Sequence, residues 1–249
     1  MKCLYTTPID EKGIKRLEEL GYSLLVKKEK DVTQDDFDGV EVVVGFNPFE
    51  NVDLSKTDVK FIQLQSQGFD HLEPQKFDGL MIANHHGGYA VPIGEWIVLK
   101  VLESYKRTHL IYQYQKEHRW WKEFSIQGLT GKKILFVGTG TIAQEAAKRL
   151  IPFDVEIYGT NSSGKGNEYI KKIIPLHEVE DFLPEVDVLI PVLPWTKETE
   201  DLIDEKKLSL MKEGSVIINI SRGQVMDEEA LMKHLDKFLA VHLDVVKEE

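Results

Sequence analysis

The sequence predicts an α/β fold built on parallel sheets and divided between two domains, and three observations carry that expectation. Short β-branched runs alternate with helix-length segments through residues 1–91, a long helical stretch opens at Pro92, and a second alternating series begins at Leu129. Strands separated by helix-length segments read as βαβ units, which make parallel sheets. At 249 residues a single hydrophobic core is near its practical limit, so length leaves one large domain or two smaller ones open, and the change of pattern at Pro92 divides the chain into 1–91 and 92–249.

In the first domain, Lys2–Thr6 reads as a strand. Pro8 opens a helix that carries Ile14, Leu17 and Leu20 at helical spacing and stops at Gly21. Further strands are expected at Tyr22–Val26, Val40–Gly45, Lys60–Leu64 and, after the Asp78-Gly79 turn, Leu80–Ala83. The bridging helix runs from Pro92 toward Trp121 with Trp96, Leu99, Leu102 and Tyr105 in phase. The second domain offers strands at Lys133–Val137, Val155–Tyr158, Val186–Ile190, Ser215–Ile220 and Leu239–Leu243. Its helices follow the glycines after Val137 and span Asp204–Met211 and Asp227–Leu235.

Composition narrows the functional classes. The formal charge of −11 disfavours nucleic acid and anionic membranes, since both need a positive surface. The single cysteine, Cys3, excludes an intramolecular disulfide and a cysteine-rich zinc site, and no HExxH motif is present, so no metal site is expected. The opening residues lack the apolar core of a secretion signal, and Lys100 and Glu103 interrupt the longest apolar helical stretch. A cytoplasmic location is the expectation.

The most informative segment is Lys133–Val137 followed by Gly138-Thr139-Gly140-Thr141-Ile142-Ala143 and a helix. Gly138 permits a tight turn, Gly140 lets backbone approach a pyrophosphate, and Ala143 allows close helix–strand packing. The helix start supplies free N–H groups. A glycine turn alone is weak evidence, but here it stands in the strand–turn–helix context that dinucleotide binding requires. An acid at the end of the following strand ordinarily holds the ribose of NAD. Here the strand ends at Tyr158, and Gly159, Thr160, Asn161, Ser162, Ser163 and Lys165 follow with no acid among them. That set tolerates a 2′-phosphate, so NADP(H) is favoured over NAD(H), against the plainer reading of a polar turn.

Arg222 ends the apolar run Ile217–Ile220 and precedes Gly223, which places a guanidinium where ligands of open α/β sheets bind. It is suited to holding a carboxylate through two parallel hydrogen bonds. The competing reading pairs it with Asp227 or Glu228. Among the eight histidines, His85 and His86 precede Gly87-Gly88 in a loop, and His242 shares the strand face of Asp244, where a packed role is the better expectation. Phe46, Phe49, Tyr89 and Trp120 are either pocket walls or core.

Four stretches together resemble the D-isomer-specific 2-hydroxyacid dehydrogenases over nearly the whole chain. The most specific is DVLIPVLPWTKETEDLIDEKKLSLMKEGSVIINISRGQVMDEEAL, through its LP, T-x-x-T, LMK and N-x-x-RG elements. LTGKKILFVGTGTIA matches the cofactor loop, FIQLQSQGFDHL the substrate loop, and PIGEWIVLKVL the start of the interdomain helix. The resemblance implies a Rossmann-type dinucleotide-binding domain plus a smaller flavodoxin-like α/β substrate domain. It also implies hydride transfer between NAD(P)H and a small 2-keto acid.

Carried over by position, Arg222 binds the substrate carboxylate and polarises its carbonyl, and backbone N–H groups around Gln67 and Gly68 hold the same carboxylate. Asp244 meets the nicotinamide carboxamide. Thr141, Ile142, Leu193, Pro194, Thr199 and Ile220 line the cofactor. Glu249 matches the acid that pairs with the family's catalytic histidine, which belongs to a segment beyond Glu249, so the chain is expected to be C-terminally incomplete. The reading from another class is a dinucleotide-binding regulatory or interaction protein without catalysis. A homodimer is expected, with the helix at 92–118 and its Tyr112 and Tyr114 suited to the contact.

Overall fold

The computed structural model describes residues 1–68, 79–85, 87–120 and 125–248. The chain forms two compact units, Met1–Gly88 and Tyr89–Glu249. The sequence reading put the division at 91/92, which lies inside the first turn of a helix that begins at Ala90.

In the first unit, β1 (Lys2–Tyr5), β2 (Ser23–Val26), β3 (Val40–Gly45), β4 (Phe61–Leu64) and β5 (Met81–Ala83) form one parallel sheet in the order β2-β1-β3-β4-β5. This is the flavodoxin-like order, whose switch point lies between β1 and β3. Alternation along the strands sends Leu4, Val43, Ile62 and Leu64 into a core with Phe37 and Phe49. Past the switch point, the Glu29 carboxylate accepts from Phe46 N–H at 2.9 Å, from Asn47 N–H at 2.7 Å and from the Thr6 hydroxyl at 3.0 Å, tying the ends of β1 and β3 together. Helix α1 (Glu11–Glu19) starts later than Pro8 suggests, because Asp10 is its cap and accepts from Gly13 N–H at 2.7 Å.

The second unit carries β6 (Lys133–Val137), β7 (Glu156–Thr160), β8 (Lys172–Ile173), β9 (Val188–Pro191), β10 (Val216–Asn219) and β11 (Ala240–Leu243). They form one sheet in the order β11-β10-β9-β6-β7-β8, parallel in every pairing. This is the doubly wound Rossmann order, and its switch point lies between β6 and β9. Both faces are covered, as parallel sheets require. From β6, Ile134 and Phe136 point to one core with Ile97, Val101, Ala146 and Leu150, while Leu135 and Val137 point to another with Leu183, Leu208, Met211 and Leu231.

The first of those cores is built by α2 (Ala90–Lys106) and α4 (Thr141–Leu150). Gly94 lets them approach, since a Cβ there would sit 3.0 Å from both Ala146 N and Glu145 Cβ. The opposite face carries α5 (Val179–Phe182), α6 (Glu205–Leu210) and α7 (Glu228–Lys233), the last two capped by Asp204 and Asp227.

The single helix expected over 92–118 is broken. Arg107 takes the left-handed conformation, with φ of 54°, between α2 and α3 (Thr108–Lys116). Its guanidinium donates to Leu239 O at 3.2 Å, so the break is anchored to the start of β11. Of the two tyrosines expected on the surface, Tyr112 is exposed, but Tyr114 is half-buried with Arg119 stacked 5.2 Å from its ring centre. Among the described residues no helix is long and apolar enough to cross a membrane.

Candidate dinucleotide and carboxylate site

All six strands of the second sheet run the same way, so their carboxyl ends lie along one edge. The glycine loop follows β6, Asn161 follows β7, Val192–Trp195 follows β9, Ser221-Arg222 follows β10, and Asp244 follows β11.

Gly138 sits at φ of +100°, and a Cβ there would lie 2.2 Å from Val192 O, so only glycine fits. Gly140 is the reverse case: its φ is −70°, and a Cβ would meet nothing within 4 Å. The open space lies at the start of α4, where Gly140 offers no side-chain cap to the first N–H groups. Thr141 Oγ1 is buried without a hydrogen-bond partner. Unsatisfied N–H groups, a partial positive charge and an unused hydroxyl at an uncrowded glycine suit a pyrophosphate, so the residues present fit a dinucleotide. Ile142 is half-buried beside them.

The loop is braced from β7. Asn161 Nδ2 donates to Thr139 Oγ1 at 2.7 Å and to Lys165 O at 3.0 Å, while its Oδ1 accepts from Ser163 Oγ at 2.9 Å. Both amide protons of Asn161 are therefore spent within the chain, one on the glycine loop and one on its own turn. Of the set expected to receive a 2′-phosphate, Ser162 and Lys165 are exposed, and Asn161 works as a strut. Asn167 adds a second one, donating to Thr139 O at 3.2 Å. No acid follows the end of β7; Glu156 stands at its start and bonds Lys172 at 3.1 Å.

On the other side of the switch point, Leu193 N–H donates to Ser221 Oγ at 3.1 Å, joining the ends of β9 and β10. Pro194 is exposed, and its carbonyl accepts from Thr199 Oγ1 at 2.9 Å; the same hydroxyl oxygen accepts from Thr196 N–H at 2.7 Å. Thr199 thus shapes the turn from within. Ile220 is buried in the core below.

Arg222 is half-buried and extended, and its guanidinium donates to Ser221 O at 2.8 Å. Asn219 holds this corner: its side-chain oxygen accepts from Ser221 N–H at 3.0 Å and its amide donates to Arg222 O at 3.1 Å. Asp244 N–H donates to Asn219 O at 3.0 Å, with its carboxylate exposed. The glycine after Arg222 is required by close approach, because a Cβ on Gly223 would lie 2.1 Å from the Val246 carbonyl carbon. Asp227 caps α7 through Ala230 N–H, and Glu228 accepts from Lys247 N–H at 2.8 Å. Glu249 lies outside the described residues.

In the first unit, Ser66 Oγ donates to Gly68 O at 2.7 Å and Asn84 Nδ2 to Gln67 O at 2.8 Å. The Gln67 side-chain oxygen is buried without a partner. Phe49 is core, whereas Phe46, Tyr89 and Trp120 are exposed, Trp120 at 88%. His71 and His86 lie outside the described residues.

Sequence reasoning did not single out Thr139, Asn167, Asn219, Ser221 or Trp195. Thr139, Asn167 and Ser221 have partners 22 to 28 residues away, so no local pattern announces them.

The fold and this edge define a Rossmann-type dinucleotide-binding protein. The family described as D-isomer specific 2-hydroxyacid dehydrogenase, NAD binding domain, matches residues 98–249, and the chain belongs to that family. It is 28% identical over 280 residues to a glyoxylate reductase of Thermococcus onnurineus, covering 100% of this chain and 80% of that protein. A glyoxylate reductase of Thermofilum pendens is 32% identical over 203 residues, 77% of this chain and 59% of the relative's own length. Among solved structures, a D-isomer specific 2-hydroxyacid dehydrogenase family protein from Aeromonas salmonicida superposes with a TM-score of 0.88 at 22% identity, over 100% of this chain and 82% of that one. A D-lactate dehydrogenase from Aquifex aeolicus, complexed with NAD and lactic acid, gives 0.85 at 24% identity, over 100% and 78%.

Proposed function

We propose that the protein reduces a small 2-keto acid to the D-2-hydroxy acid, with NADPH favoured over NADH. The reading is supported chiefly by the glycine loop and Arg222 standing at the carboxyl ends of β6 and β10, on the same edge of one parallel sheet. Ketone reduction adds a hydride to carbon and a proton to oxygen, with the nicotinamide oxidised. Bound at the glycine loop, the reduced nicotinamide nucleotide supplies the hydride. Arg222 binds the substrate carboxylate and draws electron density from the carbonyl, favouring the charge that develops on oxygen. Asp244 orients the carboxamide of the nucleotide. Gln67 and Gly68 are assigned to carboxylate binding, and Glu249 to pairing with a proton-donating histidine, on the resemblance alone.

NADPH preference is favoured by the absence of an acid after β7 and the presence of Ser162 and Lys165 there. Relatives named glyoxylate reductase make glyoxylate the first substrate to try. The test is titration with NADPH and NADH by nicotinamide fluorescence, followed by turnover of glyoxylate and pyruvate by the chain extended through the family's histidine segment. Binding of both nucleotides, tighter for NADPH, and keto-acid reduction lost in Arg222→Ala are expected. Failure to bind either nucleotide overturns the reading, while binding without turnover by a chain that includes the family's histidine segment supports the non-catalytic alternative. A homodimer is proposed as well, to be checked by light scattering.

A further inference from the structure

The geometry points to Trp195 as a ligand-binding residue whose indole N–H donates to an oxygen of the dinucleotide's pyrophosphate–ribose backbone. The inference rests on the dinucleotide reading above and adds a donor that neither the glycine motif nor the position-by-position resemblance supplies.

Trp195 stands in the connection that leaves β9, whose first residues, Val192 and Leu193, pack against the glycine loop. Val192 N–H donates to Val137 O at 2.7 Å, and the Val192 carbonyl occupies the space a Cβ on Gly138 would need. Leu193 Cβ lies 3.3 Å from the same point. Leu193 N–H is fixed to Ser221 Oγ, and the following turn is closed by Thr199 on Pro194 O and Thr196 N–H. Trp195 is therefore held on both sides by hydrogen bonds, within the segment that borders the switch point between β6 and β9.

In that setting its Nε1 is buried without a hydrogen-bond partner. An indole nitrogen is a donor only, so it cannot be satisfied by turning to serve as an acceptor. Leaving such a group unsatisfied is unfavourable, and native structures almost always pair it. Thr141 Oγ1, at the first residue of α4 on the other side of the switch point, is unpartnered in the same way. One unused donor opens α4 beside Gly140 and the other lies three residues beyond the Val192 that covers Gly138, and one oxygen-rich ligand accounts for both. A phosphate or ribose oxygen satisfies an indole N–H, whereas the adenine and nicotinamide rings offer mainly faces. A core tryptophan with no ligand role leaves its lost hydrogen bond uncompensated.

The experiment is proton–nitrogen correlation spectroscopy of the four indole N–H groups in the wild-type chain. The Trp195 resonance is assigned by Trp195→Phe, or by elimination with Trp96→Phe, Trp120→Phe and Trp121→Phe. Addition of NADPH, NADH or ADP-ribose is expected to shift the Trp195 indole proton downfield, with nicotinamide mononucleotide giving a smaller change. Trp195→Phe is expected to weaken ADP-ribose and NADPH binding by about fivefold, the value of one neutral hydrogen bond. Loss of ring volume in Trp195→Phe lowers the unliganded melting temperature whichever role the N–H has, so the indole resonance and the affinity carry the test. An unmoved Trp195 resonance in protein that binds the nucleotide overturns the inference, as does unaltered affinity in the variant. Absence of nucleotide binding by the wild type fails the dinucleotide reading itself.

Discussion

His242 Nε2 lies 2.8 Å from Ser104 Oγ, and Ser104 spends its single hydroxyl proton on Lys100 O, also at 2.8 Å. The serine oxygen is therefore an acceptor toward the ring, and His242 donates to it from Nε2. This commits His242 to joining β11 to α2. It is a packed histidine, as its place on a strand suggests, and its Nε2 proton is engaged in structure.

Burial depresses the His242 pKa below its ordinary value of 6.5, and the Lys100 ammonium lowers it further. The Glu103 carboxylate acts in the opposite direction, and His109 in the same direction as Lys100. A depressed folded-state value means the unfolded chain binds the proton more readily, so stability rises with pH. The contribution is complete above 6.5 and is lost as pH falls toward the folded-state value. Urea unfolding between pH 7.5 and 5 should show this decline, and His242→Gln should flatten it. Parallel curves for the two proteins refute the assignment.

At the opposite end of the sheet, Asp187 is 6% exposed and collects three donors. Its carboxylate accepts from Lys212 Nζ at 2.7 Å, Lys133 N–H at 2.9 Å and Lys132 Nζ at 3.3 Å. Burial alone raises its pKa, but the hydrogen bonds and the two ammonium groups outweigh it and leave the group below 3.8. Asp187→Ala strands the Lys133 N–H and both ammoniums, and should cost about 3 kcal/mol by chemical denaturation. A loss under about 0.5 kcal/mol, typical of an unpaired surface position, contradicts the geometry.

Strand placement was legible because β6 and β3 are β-branched runs bounded by glycine, and the structure keeps both with the bounds read from sequence. The glycine loop was legible for the same reason: Gly138 and Gly140 are local signals of backbone shape. Arg107 was not, because it breaks α2 from α3 in a left-handed conformation without glycine or proline, held by a bond to Leu239, which is 132 residues away. Strand β8, Lys172–Ile173, has only two residues and so no periodicity to read. Asn161 had the right chemistry for a ligand, yet its protons go to Thr139 and Lys165, a commitment no local pattern reveals.

That commitment sharpens the cofactor prediction. With Asn161 spent on the turn, discrimination for a 2′-phosphate falls to the Lys165 ammonium and the Ser162 hydroxyl, both exposed. Lys165→Ala should weaken NADPH by roughly fivefold to tenfold while leaving NADH unchanged, since only the former carries the extra phosphate. The ratio of the two dissociation constants at low and high salt is the measurement. Equal losses for both nucleotides, or none, remove Lys165 from the site.

Gly138 and Gly140 stand two residues apart, yet alanine should act on them in opposite ways. At Gly138 the φ of +100° and the Val192 carbonyl 2.2 Å from a Cβ penalise any side chain in the folded protein itself. Gly138→Ala should therefore lower stability by about 2 kcal/mol or more, with or without nucleotide. At Gly140 the backbone is ordinary and the space around a Cβ is empty. Gly140→Ala should leave the unliganded melting temperature within about 2 °C of wild type, corresponding to less than about 0.5 kcal/mol. Its methyl group then stands where the pyrophosphate must approach, so nucleotide affinity should fall by at least tenfold, as expected when a phosphate loses its backbone contacts. Melting curves and nucleotide titrations of the two variants separate a glycine kept for the chain's own geometry from one kept for its ligand. If Gly140→Ala binds as wild type, the pyrophosphate does not lie at the start of α4.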